Sequence, residues 1–109
     1  MPRLLVLLDE PCWIVFPSVE AASASIEAID VANELRAAFD EAAVPYAVEW
    51  LRPNVQSRLS VTNGEYCFVP SGPAEPMALL ALLESHPSAR TDDGEAVDLL
   101  ESTRSLRAG

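Results

Sequence analysis

Nucleophilic catalysis through an imidazole base needs a histidine within reach of a serine, threonine or cysteine. The sequence has one histidine, His86, and Pro87 follows it. The pair stands where an apolar helical pattern ends, so His86 is expected to meet the last carbonyls of that helix rather than to serve as a base. Lysine is absent, which removes Schiff-base and P-loop chemistry. Gly64, Gly72, Gly94 and Gly109 form no phosphate-cradling spacing, and no G-x-S-x-G, H-E-x-x-H or EF-hand loop occurs. The run Thr91-Asp92-Asp93-Gly94-Glu95 is rich in oxygens but lacks the alternation and distal glutamate of a calcium loop, and reads as a loop and helix cap. A zinc site would have to gather Cys12, Cys67, His86 and a carboxylate from distant segments, whereas zinc ligands usually come in pairs at short spacing. The expectation is no catalytic residue, no metal and no cofactor.

Paired carboxylates are the remaining chemistry. Asp30, Glu34, Asp40, Glu41 and Glu49 fall within one third of the chain. Two of them could do general acid–base work if burial raised one pKa. A solvated charged surface needs no burial and is the simpler expectation. Tyr46 and Trp50 lie in the same stretch. Aromatic anchors flanked by charges are what a protein-binding surface offers. In that reading Glu34, Asp40, Glu41, Glu49, Trp50 and Glu65 contact a partner. In the competing reading Trp13, Tyr46 and Trp50 are core residues.

The charge balance bears on the partner. The 109 residues hold 17 acidic and 7 basic side chains, a formal net charge of −10, and all the basic ones are arginine. Nucleic-acid binding needs a basic footprint to displace counterions, and anionic membranes attract the same footprint. Neither partner fits this chain. A basic protein does, with fast and salt-sensitive association. Acidity for solubility alone is the plain alternative.

These residues must be positioned by a domain of ordinary size. Half of the chain is apolar, enough to bury a core. The expectation is one compact α+β domain over 1–109. Two cysteines without a C-x-x-C spacing are expected as reduced, unbridged thiols. The apolar run 4–8 is too short and wrongly flanked for a signal peptide, and no stretch approaches a membrane span, so a cytoplasmic protein is expected.

Residues 4–8 and 13–16 are short apolar runs separated by Asp9-Glu10-Pro11, the pattern of a hairpin. Ser18 is an N-cap candidate, and Val19, Ala22, Ile26 and Ile29 share one helical face, which predicts a helix over 18–30. After Asp30 the phase breaks: Val31, Leu35, Phe39 and Ala42 would fall on the opposite face. Residues 35–40 then form a strand, the preferred reading, or an alanine-rich helix follows a kink. Residues 46–51 are a strand stopped by Pro53-Asn54. Asn63-Gly64 predicts a type I′ hairpin that pairs Val61 with Tyr66 and Leu59 with Phe68. Pro76 to Ser85 is a buried helix, and 96–107 is a final helix with Arg104 and Arg107 near its end. The sum is α+β: a mostly antiparallel sheet of about four to six strands with helices packed on one side.

The stretch 35–66 resembles the small acidic immunity proteins that accompany bacterial polymorphic toxins. The features are the compact α+β pattern, the Ile29-Asp30-Val31 step after the first helix, and the Asn63-Gly64-Glu65-Tyr66 turn. The resemblance implies a protein without activity of its own that binds a cognate toxin and blocks its active or substrate surface. It carries over no site residue. The leading expectation is therefore a cytoplasmic immunity or antitoxin-type inhibitor facing a basic toxin. The alternatives are an accessory or structural subunit acting as a homodimer, and a small enzyme using carboxylates.

Overall fold

A computed structural model describes residues 3–9, 12–56, 61, 62 and 64–108. The chain opens with β1 (Leu4–Leu7) and β2 (Trp13–Phe16), then α1 (Val19–Ser25), α2 (Ala28–Glu34), β3 (Ala37–Asp40) and β4 (Tyr46–Arg52). It continues through the short β5 (Val55–Gln56) and β6 (Val61–Thr62), then β7 (Glu65–Pro70), α3 (Pro76–Ser85), β8 (Ala89–Thr91) and α4 (Leu99–Ala108). The main sheet has the order β3-β1-β2-β8. β1 pairs antiparallel with both β2 and β3, and β8 joins β2 in parallel. Two antiparallel ribbons, β4–β7 and β5–β6, complete the strands.

All four residues of β1 are buried. An unbroken apolar run suits a strand covered on both faces, and both faces are covered here. Leu5, Leu7, Trp13, Val15 and Phe39 pack with Leu79 and Leu83 of α3 and Leu99 of α4. Leu4, Val6, Phe16 and Ala38 pack with Ala22 of α1, Ile26, Val31 of α2 and Phe68 of β7. The α+β class and the predominance of antiparallel pairing follow expectation. Helices confined to one side do not: α3 and α4 lie on one face, α1 and α2 on the other.

The first helical stretch is two helices. Ser18 caps α1, its hydroxyl accepting from the Ala21 N–H at 3.0 Å. The break comes at Ile26 and Glu27, which are extended, not at Asp30. These two residues absorb the change of phase, so Ala22, Ile26 and Val31 reach the same core. The strand over 35–40 is present as β3, and α3 has its expected bounds.

The Asn-Gly hairpin is overturned. Tyr66 pairs with Trp50 and Phe68 with Val48, while Val61 pairs with Gln56. Leu59 and Asn63 lie outside the described residues. Gly64 serves a different need from a positive φ. Its N–H donates to Asn54 Oδ1 at 2.7 Å, and a Cβ there would stand 2.0 Å from the Arg52 carbonyl oxygen. Hydrogen at that position lets two backbones touch. The seven-residue β4 also offers β7 a longer partner than the two residues of β6.

The final helix starts three residues later than expected. Residues 95–97 run instead along the outer edge of β8, where Val97 N–H donates to Ala89 O and Thr91 N–H to Glu95 O. Asp98 then caps α4 by accepting from the Glu101 N–H.

Candidate functional site: the outer part of the β4–β7 ribbon

The β4–β7 ribbon turns one face to the helices and the other to solvent. Tyr46, Val48, Tyr66 and Phe68 pack toward the core shared with α1 and α2. Ala47, Glu49 and Leu51 alternate with them and are exposed. At the register shift between Trp50 and Arg52 the ribbon carries two large apolar side chains into water, Trp50 at 41 % and Leu51 at 63 % exposure, and Val55 of the following β5 is 57 % exposed.

Trp50 is held, although half in water. Its ring lies 5.8 Å from Tyr66, and Tyr66 meets Phe68 edge-on at 5.5 Å. The three rings form a ladder from surface to core, with the offset geometries aromatic pairs prefer. The Tyr66 hydroxyl donates to the Ile26 carbonyl at 2.5 Å, tying the ribbon to the α1–α2 joint. Burial, then the charge of Asp30, pushes the Tyr66 pKa up to about 12. Asn54 adds a second tie, donating to Ala28 O at 3.1 Å while accepting from Gly64. A surface fixed this way presents its apolar groups at little ordering cost.

The expected contact residues divide into separate groups. Glu49, Trp50 and Glu65 share the ribbon; Glu49 stands opposite Cys67, and Glu65 pairs with Arg52 at 2.9 Å. Glu34 is exposed at the end of α2, beside Cys12 and Arg90. Glu41 pairs with Arg3 at 3.1 Å, and the Arg3 backbone N–H, ahead of its guanidinium, holds the Glu41 carboxyl below its ordinary range. Asp40, unlike the other expected contact residues, is turned inward. It is 7 % exposed, and its Oδ1 accepts from the N–H groups of Ala42 and Val44 while Oδ2 accepts from the Tyr46 hydroxyl. It closes the β3–β4 turn, in which Ala43 takes a φ of 65°. Burial, then Asp40, raises the Tyr46 pKa.

No protein family, curated protein or solved structure matches the chain.

Leu51 and Val55 were missed by the sequence reading. A signal for Leu51 existed: Trp50 and Leu51 are adjacent in a strand whose alternate residues face opposite ways, so one of them must face away from the core. Trp13, by contrast, is wholly buried core, and its indole N–H has no hydrogen-bond partner among the described residues. Cys12 and Cys67 are free thiols, both half-buried. His86 ends α3, and it is its backbone N–H that donates to Leu82 O. Among the described residues no group of three histidine, cysteine or acidic side chains is placed to hold a metal ion. No helix among them is long and apolar enough to cross a membrane.

Proposed function

We propose that this chain is a non-catalytic binding protein, an inhibitor of the immunity or antitoxin type, which meets a basic toxin in the cytoplasm through the outer part of its β4–β7 ribbon. The observation that carries the reading is the exposure of Trp50 and Leu51 on β4, beside Glu49 and Glu65, on a chain of net charge −10. These apolar side chains supply desolvated contact, with Trp50 the anchor, because buried aromatic side chains dominate protein interfaces. The carboxylates supply steering toward a cationic face and set the salt dependence. Occlusion of the toxin's substrate surface then requires no chemistry from this chain.

The test is capture from native lysate at low and moderate salt, with bound proteins identified by mass. The wild-type chain retains one basic protein stoichiometrically and releases it as salt rises. Trp50→Ala and Glu49→Lys, both at exposed positions, lose it while keeping the native far-UV spectrum. Retention unchanged in both variants refutes the ribbon as the contact. A self-associated chain that dissociates on Leu51→Glu assigns the same surface to a homodimer.

A further inference from the structure

The sheet face beneath α1 and α2 is not covered to its edge. One row across the four strands reads Ala38, Val6, Ile14, Arg90. Ala38 and Val6 are buried, Ile14 is half-buried and Arg90 is exposed. Above the uncovered end lies a recess of about 300 Å³. Leu8, Ile14, Phe16 and Ile26 give it apolar walls. Asp30 of α2, Asp92 after β8 and Arg90 give it charge of both signs.

Arg90 is the informative residue. Three ion pairs occur among the described residues, and they employ Arg3, Arg36 and Arg52. Arg90 shares its recess with two carboxylates and pairs with neither. A guanidinium presents a planar fork that matches a carboxylate in two parallel hydrogen bonds. An anion alone would meet repulsion from Asp30 and Asp92, and a cation alone would meet it from Arg90. A ligand bearing both charges meets Arg90 with its carboxylate and one of the two acidic side chains with its ammonium. The apolar walls call for an apolar body, and a volume at the lower end of ligand cavities calls for a compact one.

We propose that this recess binds a free α-amino acid with a branched or aromatic apolar side chain. Its carboxylate lies on Arg90, its ammonium on Asp30 or Asp92, and its side chain on Ile14 and its apolar neighbours. None of the residues that line the recess belongs to the ribbon, and the proposal does not depend on the ribbon's role.

The test is an amide-resolved NMR titration of the full chain with four probes: L-leucine, 4-methylpentanoate, 3-methylbutylamine and L-leucyl-L-leucine. Leucine is expected to shift the amides of Ile14, Asp30 and Arg90 saturably. The two half-ligands bind at least about tenfold more weakly, a loss of about 1.4 kcal/mol each. Arg90→Gln weakens leucine about tenfold and binds the amine probe at least as tightly as wild type, and the double variant Asp30→Asn, Asp92→Asn weakens leucine likewise and binds the acid probe at least as tightly as wild type. The proposal is overturned if leucine gives no saturable shift, if Arg90→Gln binds it as wild type, or if the acid alone binds as tightly. Tighter binding of the dipeptide overturns the free amino acid as the ligand.

Discussion

Removing the Asp40 carboxylate separates a structural role from a contact role. In Asp40→Ala the N–H groups of Ala42 and Val44 lose acceptors at 2.9 and 3.0 Å. Hydrogen bonds to a charged acceptor contribute about 1.5–3 kcal/mol each. Ala42 is exposed, so water replaces most of its bond; Val44 is half-buried and recovers less. The Tyr46 hydroxyl, 3.4 Å from Oδ2, contributes little. The turn also holds Ala43 at a positive φ, which the carboxylate's two bonds help to fix. The expected loss is about 2–4 kcal/mol, against about 1 kcal/mol for Asp40→Asn, whose amide oxygen can still accept both N–H groups. Urea denaturation followed by tryptophan fluorescence reads the difference, with the m-value unchanged if only the turn is affected. At about 4 °C per kcal/mol for a chain of this length, Asp40→Ala melts about 10 °C lower. A loss under about 0.5 kcal/mol in the alanine variant refutes the assignment of Asp40 to the turn.

Tyr66→Phe orphans the Ile26 carbonyl and is expected to cost about 1–2 kcal/mol in the same urea assay. The raised Tyr66 pKa makes the bond's contribution full below the unfolded value near 10, and it falls as pH rises toward about 12, because the unfolded chain loses its proton first. Absorbance at alkaline pH follows this directly: Tyr66→Phe deletes the late-titrating step of the chain's two tyrosines. Trp13→Phe removes the unpartnered indole N–H, so the released desolvation cost offsets much of the lost volume; the net change is expected within about 1 kcal/mol, whereas Trp13→Ala costs about 3–5 kcal/mol by chemical denaturation. Gly64→Ala forces a Cβ against the Arg52 carbonyl, and the expected result is more than about 2 kcal/mol of destabilisation with loss of the near-ultraviolet signal of Trp50 packed on Tyr66.

Local sequence signals served where the local chain decides. The Leu4–Leu7 run, the Ser18 cap and the Pro76–Ser85 helix all depend on neighbours within a few residues, and all are present. The errors arose where distant residues compete. Asn63-Gly64 favours a local hairpin, yet β7 gains more from the Tyr46–Arg52 strand, with its aromatic and β-branched partners, than from the two residues of β6. β8 has three residues and no apolar run, so its strand character comes from its partners, β2 on one side and residues 95–97 on the other. The candidate site was half legible. Glu49, Trp50 and Glu65 do meet on one ribbon, whereas Asp40 looks like its acidic neighbours in sequence and differs from them only in burial. No sequence pattern reveals which carboxylate will cap a turn four residues ahead.

The parallel docking of β8 has a kinetic meaning. β1, β2 and β3 lie within the first 40 residues and can collapse together over short loops, while the pair Trp13–Ala89 must close a span of 76 residues. Contacts of such separation form late, after the entropy of the intervening chain is lost. Arg90 arrives with that strand, so the recess it lines is completed by the closing step of folding. A molecule bound there would lock the latest-formed seam of the sheet, slowing the first opening of the native state more than it speeds the approach to it.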